Sequence, residues 1–198
     1  MNTSFQLPFV QLLYGAEGVA RIAAFDIVNT VATFTLAHLT AIRANPAHST
    51  GRVRLDRLVR NPALYAIAAG LLVNLLGVHV PVAIADPVAT VGMAASVLIP
   101  VGIGILLNPA IRGSGTAALL VATRLGTGLL VAIVLAVVLR LSGMDLTVLL
   151  LIGAAPMVFA AVAFASMENL DVKLATAAMS LSLAVSVAMS LLIIFIRT

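Results

Sequence analysis

The chain has 198 residues and a formal net charge of +4, from eleven basic and seven acidic side chains. Apolar residues make up 62% of the sequence and charged residues only 9%, whereas a soluble domain carries about 25% charged residues. So few charges cannot cover a globule of this size in water, and the composition therefore indicates an integral membrane protein. Cysteine is absent, which excludes disulfides, thiolate metal sites and cysteine nucleophiles.

The sequence predicts an all-α chain with one half-length element followed by six membrane spans. Residues 1–14 are apolar but too short to cross about 30 Å of hydrocarbon, because a helix rises only about 1.5 Å per residue. Segments rich in proline, glycine, asparagine and charge separate the longer stretches, as expected for loops. The six predicted spans are 19–42, 62–79, 88–107, 116–139, 146–165 and 174–196.

The basic residues predict how the spans are oriented. Arg43 and the loop at 44–61 that follows it carry five arginines, with Asp56 as the only acid. Because short loops rich in lysine and arginine stay in the cytoplasm, we expect this loop inside and the protein in the cell membrane (plasma or inner), crossing it several times. Gly15 then lies outside, and Met1 lies within the bilayer.

The start of the chain resembles its far end in the order of its features. An apolar half-span with a proline, Pro8 or Pro156, is followed by an acid, a base and a long span. In the predicted orientation the two half-spans run in opposite directions, as in an inverted repeat whose interrupted helices form a binding site near the membrane midplane. We therefore expect helix breaks at Pro8 and Pro156, although each proline alone is also consistent with a simple kink.

Four stretches carry a family resemblance. They are NTSFQLPFVQLLYGAEGVARIAAFDIVN, NPALYAIAAGLLVNLLGVHVP, LLVATRLGTG and LLIGAAPMVFAAVAFASMENLDVKLATAAMSLSLAVSV. They resemble the fourth to tenth helices of the auxin efflux carrier family, which includes plant auxin exporters and bacterial organic-acid carriers. The family's first crossover tends to be richer in glycine, whereas Ser4 and Gln6 occupy that region here.

The resemblance implies a secondary transporter with two inverted five-helix repeats, whose fourth and ninth helices are broken and cross at prolines. On this reading the crossover contains Pro8, Ala155 and Pro156, and substrate binds there. The chain is then N-terminally short, because the first three helices of the family have no counterpart in it. Its predicted divisions are the end of the first repeat, the cytoplasmic basic loop and a complete second repeat, at 1–43, 44–61 and 62–198.

Three polar residues, Asn2, Thr3 and Gln6, lie next to the first predicted break, where amide groups and unwound backbone can bind a carboxylate. For Asn2, simple disorder at a chain terminus is an equal alternative. Arg124 lies inside a predicted span, and a charge at such a depth is expensive unless it is paired or hydrated. It is a candidate for attracting an anionic substrate, with structural pairing to carbonyls or an acid as the competing interpretation.

Other polar residues in the spans have competing interpretations. Asp26 and its neighbour Asn29 are candidates for proton or ion coupling, because an acid inside a span is a functional candidate by default; pairing with Arg124 is the alternative. The serines of the last span are either a close-packing stripe or a polar pathway. No histidine has a second ligand at metal-binding spacing, so no metal site is predicted. The four serines are Ser180, Ser182, Ser186 and Ser190.

These observations predict a carrier that exports small organic anions, such as carboxylates, by alternating access at the proline crossover. The alternative is a non-transporting, N-terminally truncated fragment or one half of a split transporter. Motifs of intramembrane enzymes and of nucleotide-binding loops are absent from the sequence, so neither an enzyme nor a cofactor is predicted. We expect an anionic substrate and the lipid bilayer as partners and no nucleic acid, and we leave a homodimer open.

Overall fold

The computed structural model describes residues 2–45, 62–106 and 115–197, and every regular element in these ranges is helical. The predicted all-α class is confirmed for this part of the chain, whereas residues 46–61 of the predicted basic loop lie outside it. The elements in chain order are α1 (Thr3–Ala32), a π-helical turn (Thr33–Ala37), α2 (His38–Ala44), α3 (Pro62–Leu75), α4 (Val82–Leu106), α5 (Gly115–Val138), α6 (Gly143–Gly153), α7 (Ala160–Met167) and α8 (Val172–Arg197).

Within the described ranges, three helices are long and apolar enough to cross a membrane, which is the pattern of a multi-pass membrane protein. The first lies within the run from α1 through the π-helical turn to α2, and the other two are α5 and α8. Many large apolar side chains of α3, α4 and α5 are exposed, as expected where lipid surrounds them. The three ranges are Thr3–Ala44, Gly115–Val138 and Val172–Ile196.

Helix α1 is a hairpin rather than one straight rod. Gly15 has φ 57° and ψ −145° inside an otherwise helical run, a backbone conformation that residues with a Cβ rarely adopt. The Thr3 hydroxyl donates a hydrogen bond to the carboxylate of Asp26, although a straight helix would separate these residues by about 35 Å. Residues 3–14 and 16–32 are therefore antiparallel, and we call them the first and second arms of α1.

The two arms pack closely because a glycine faces the first arm. A Cβ added to Gly18 would lie 2.7 Å from both the Tyr14 Cβ and the Val10 Cγ1 atoms, so the missing side chain lets the backbones approach. Val10 and Ile22, one from each arm, are buried together against α6. The half-length helix predicted at the start of the chain is thus confirmed over its described residues.

The break predicted at Pro8 is wrong. The chain is helical through Pro8, and its only non-helical backbone conformation between Thr3 and Ala32 is at Gly15. The physical reason is that a proline ring holds φ near −65°, which suits a helix, whereas the reversal needs a positive φ that proline cannot adopt. The glycine, and not the proline, therefore sets the position of the turn.

The break predicted at Pro156 is confirmed. Helix α6 ends at Gly153, residues 154–159 have no helical pattern, and α7 begins at Ala160. The predicted span 146–165 is therefore two short helices. A turn that includes Asn169, with φ 54°, then reverses the chain into α8, so that α7 and α8 form a second hairpin. Helix α6 packs against α1, α5 and α8, which places the break among all of them.

The hairpin turn of α1 gives a prediction about stability. Gly15→Ala places a Cβ in open space, so its effect comes only from the left-handed backbone, and we expect it to lower the unfolding free energy by about 1–3 kcal/mol. Denaturation of the purified protein in detergent, followed by circular dichroism, measures this. Gly70→Ala is the matched control, because it also meets nothing within 4 Å but lies in helical backbone. Equal effects of the two substitutions would contradict the conclusion that the backbone conformation of Gly15 makes the turn of the hairpin.

Candidate functional site

Three parts of the fold converge on the break between α6 and α7. The backbone N–H of Asn2 donates to the carbonyl of Pro156 at 3.2 Å. The Ser182 hydroxyl on α8 accepts a hydrogen bond from the backbone N–H of Met157 at 3.1 Å. Arg124 on α5 donates from Nη1 to the carbonyl of Gly153, also at 3.2 Å. The start of α1, the middle of α8 and the middle of α5 thus supply the hydrogen bonds that the broken helix cannot make internally.

Asn2 brings an unused donor to this break. Its side chain is buried, and it stands in the N-cap position of α1 without making a capping hydrogen bond. The Nδ2 atom has no hydrogen-bond partner among the described residues. Ala155 and Pro156, the other predicted crossover residues, are also buried. The structure therefore joins Asn2 to Pro156, which directly follows Ala155 in the chain.

Arg124 provides a second unused donor beside the same break. Its Nη1 hydrogen bond reaches the carbonyl of Gly153, the last residue of α6. Carbonyls at the end of a helix lack internal partners, and a positive charge is favourable there. Its Nη2 atom is buried and has no partner among the described residues. Among the described residues, Asp26 is hydrogen-bonded to Thr3 and Asn29. The pairing of Arg124 with Asp26 that the sequence left open is therefore not the arrangement observed.

Two glycines allow α5 and α6 to approach closely beside Arg124. A Cβ at Gly128 would lie 2.6 Å from the carbonyl oxygen of Gly153 and 2.7 Å from Nη1 of Arg124. A Cβ at Gly153 would in turn lie 2.9 Å from the carbonyl oxygen of Gly128. Sequence reasoning missed these glycines, although the LGTG segment after Arg124 is the kind of small-residue pattern that marks close helix packing.

The predicted coupling residues contact the predicted substrate residues. The carboxylate of Asp26, on the second arm of α1, accepts hydrogen bonds from the Thr3 hydroxyl and from Nδ2 of Asn29, the latter at 3.2 Å. Thr3 is the first helical residue of the first arm and directly follows Asn2. The two candidate sets therefore lie side by side at the start of α1.

The serines of α8 line the inner side of the same region. Gln6 is fully buried and exchanges hydrogen bonds with Ser190, at 3.1 and 3.2 Å between the side-chain atoms. Ser186, one turn from Ser182, is buried, and its hydroxyl has no partner among the described residues. Pro8, in contrast, is exposed. Gln6 is thus a packing contact between α1 and α8, and Pro8 faces away from the buried interior.

The arrangement is suited to binding an anion. Two buried donors, one of them on a guanidinium group, border a break of six residues. No protein-family model, curated protein or solved structure matches this chain. The resemblance to the auxin efflux carrier family therefore stays a prediction.

A substitution at Gly128 tests how closely α5 and α6 must approach. Gly128→Ala forces its Cβ against the Gly153 carbonyl and the Arg124 guanidinium group, and such overpacking typically lowers the unfolding free energy by about 1–3 kcal/mol. Thermal unfolding in detergent measures the loss. Gly126→Ala on the same helix, where a Cβ meets nothing within 4 Å, is the matched control and should leave stability nearly unchanged. A Gly128→Ala protein as stable as the control would show that this contact is not tight.

Proposed function

We propose that the protein is a secondary carrier of small organic anions, with carboxylates as the substrate class, and that substrate binds at the break formed by residues 154–159. The observation that carries this proposal is the pair of buried donors, Asn2 Nδ2 and Arg124 Nη2, without partners among the described residues. A buried donor left unpaired costs about 1–3 kcal/mol, and more when it is charged. A carboxylate satisfies both donors and neutralises the guanidinium charge.

The proposal includes an inverted-repeat arrangement of the helices. Its support is the similar build of the two hairpins, each with a short helix, a turn at a positive-φ residue and a long helix: α1 turns at Gly15, and α7–α8 turns near Asn169. The hydrogen bond from Asn2 to Pro156 joins the start of one hairpin to the break that precedes the other. Alternating access would then proceed by rocking of the elements around this junction.

Asp26 is the coupling residue in this proposal. Because Thr3 directly follows Asn2, a change in the protonation of Asp26 alters the hydrogen bonding of the first turn that presents Asn2 to the substrate. A protonated carboxyl group donates a hydrogen bond as well as accepting one, whereas the carboxylate only accepts. Proton binding at Asp26 and anion binding at Asn2 are therefore linked through one turn of helix.

The test is transport of radiolabelled monocarboxylates and dicarboxylates by the purified chain in proteoliposomes. We expect saturable transport. Arg124→Gln should weaken the apparent affinity for the substrate by about 10- to 100-fold, because a hydrogen bond to a charged group contributes about 1.5–3 kcal/mol. Arg124→Lys should retain part of the affinity, since it keeps the charge but loses the planar fork. Asn2→Ala should give a smaller loss, because its amide donor is neutral.

Arg140→Asn is the matched control for charge. Arg140 is exposed and has φ 52°, a conformation that asparagine tolerates, so the substitution removes one positive charge without disturbing the backbone. It should leave transport unchanged. An equal loss in Arg140→Asn and Arg124→Gln would mean that general charge, and not the break, attracts the anion. Absence of any carboxylate transport or binding would contradict the proposal.

A further inference from the structure

Ser186, in the middle of α8, is a buried residue whose hydroxyl group is unused. Its side chain is 0% exposed, and its Oγ atom has no hydrogen-bond partner among the described residues. A hydroxyl group that leaves water without gaining a partner destabilises the folded protein, whereas the side chain of alanine fills nearly the same space without this cost. Close packing of α8 therefore accounts for a small residue at this position and not for its hydroxyl group.

The Ser186 hydroxyl is also not held by its own helix. A serine hydroxyl inside a helix commonly donates a hydrogen bond to a backbone carbonyl three or four residues earlier. Two other serines of α8 do this: Ser180 donates to the carbonyl of Thr176 at 2.9 Å, and Ser182 donates to the carbonyl of Met179 at 2.7 Å. Ser186 makes no such bond, so its hydroxyl is available to a group outside α8.

The position of Ser186 follows from its neighbours on the same face of α8. Ser182, Ser186 and Ser190 follow one another at four-residue steps, which places them on one side of the helix. At one end of this row, Ser182 accepts a hydrogen bond from the backbone N–H of Met157, in the break. At the other end, Ser190 exchanges hydrogen bonds with Gln6, on the first arm of α1. Ser186 therefore lies between the break and the first arm.

A second unused polar group borders the same interface from the side of α1. The backbone N–H of Asn2 donates to the carbonyl of Pro156, which places Asn2 at the break. Gln6 lies one helical turn further along the first arm, where it contacts Ser190. Ser186 is thus opposite the turn that Asn2 begins, and the Nδ2 atom of Asn2 has no partner among the described residues.

A carboxylate has room for a third donor at this place. Its two oxygen atoms can accept about four hydrogen bonds in total. In the proposed function, Asn2 Nδ2 and Arg124 Nη2 provide two of them. The Ser186 hydroxyl is neutral, so it can donate one more without changing the net charge of the site. Its buried position also keeps that hydrogen bond away from competing water.

We propose that Ser186 is a further substrate-binding residue, whose hydroxyl group donates a hydrogen bond to the substrate carboxylate beside Asn2. The inference rests on the proposed function, because it takes the break as the anion site. It adds α8 to the site, so that side chains of α1, α5 and α8 meet at one carboxylate. Because the group recognised is the carboxylate itself, the contribution of Ser186 is the same for substrates with different apolar tails.

The first test is the affinity of Ser186→Ala for acetate and for benzoate, measured by transport and competition in proteoliposomes. We expect an apparent affinity about 3- to 10-fold weaker than that of the wild type for both anions, which is the net contribution of one hydrogen bond. The loss should be smaller than in Arg124→Gln. An unchanged affinity for either anion would overturn the proposal.

The unfolding temperature without any carboxylate gives a readout that separates binding from structure. Ser186→Ala should unfold at the wild-type temperature or slightly above it, because it removes a buried hydroxyl group that lacks a partner. Saturation with benzoate stabilises a protein that binds it, and at equal concentrations this stabilisation should be smaller in the variant. A variant that is less stable than the wild type without carboxylate would show that the hydroxyl has a structural partner, and this too would overturn the proposal.

Ser180→Ala is the matched control on the same helix. Ser180 is buried as well, at 4% exposed, but its hydroxyl already bonds to the carbonyl of Thr176. It precedes Ser182 by two residues and therefore faces a different side of α8. The control should keep the wild-type affinity for both anions. An equal loss of affinity in the two variants would attribute the effect to any buried serine of α8, and not to Ser186.

A cysteine at the same position tests direct contact, because the chain has no cysteine of its own. Ser186→Cys nearly preserves the size of the side chain, and a small anionic methanethiosulfonate reagent should reach its thiol by the route of the substrate. We expect benzoate to slow this reaction several-fold in Ser186→Cys and not in Ser180→Cys. No reaction at Ser186→Cys, or a rate that benzoate does not change, would overturn the proposal.

The outcomes distinguish this inference from the function on which it rests. A loss of affinity in Arg124→Gln without one in Ser186→Ala would reject the role of Ser186 and leave the anion site at the break standing. Absence of carboxylate binding by the wild-type chain would reject both.

Discussion

The rest of the fold depends on how the broken helix at residues 154–159 satisfies its backbone hydrogen bonds. Away from water, a helix that stops must give its N–H and C=O groups other partners. Here the Asn2 backbone, the Ser182 hydroxyl and the Arg124 guanidinium group supply them. Since these three lie on α1, α8 and α5, the same six residues position all three helices. A polar irregularity, and not the apolar packing alone, therefore determines where the hairpins meet.

The ionisable groups at the Gly15 end of the first hairpin are exposed, whereas those further along the helices have partners inside the fold. At the end that contains Gly15, Arg21 forms exposed ion pairs with Glu17 and Asp145, and the latter joins α1 to α6. Exposed pairs of this kind contribute little to stability and mainly fix orientation. The groups deeper in the fold all have polar partners: Asp26 with Thr3, Arg124 with the end of α6, and His38 with Glu168. Their partners come from distant parts of the chain or from backbone carbonyls.

The sequence was informative about elements and less so about contacts. The length of the apolar stretch was sufficient to predict the half-length first helix, and the internal proline was sufficient to predict the break at Pro156. Both features depend on local geometry. The break predicted at Pro8 was wrong, since a proline is compatible with the φ of a helix. The positive φ of Gly15 reverses the chain instead. The cluster at His38 was not predicted, because its carboxylate partner lies on α7. Asn45, next to the same carboxylate, is 123 residues from it in sequence. Sequence spacing carries no signal for such a contact.

Two polar regions, one around Asp26 and one around the contact between His38 and Glu168, are mechanically connected through one helix. The second arm of α1, the π-helical turn and α2 form a continuous helical run, so Asp26 and His38 lie on the same rod. A rotation of the whole helical run about its axis would displace Asp26 from Thr3 and His38 from Glu168 together. The π-helical turn, Thr33–Ala37, lies between them. A π-helical turn is wider than an α-helical one, is rare, and is often found at functional sites. Conversion of this turn to α-helical geometry would rotate one region relative to the other. The chain thus contains a continuous helical connection between the two regions, and the π-helical turn lies within it.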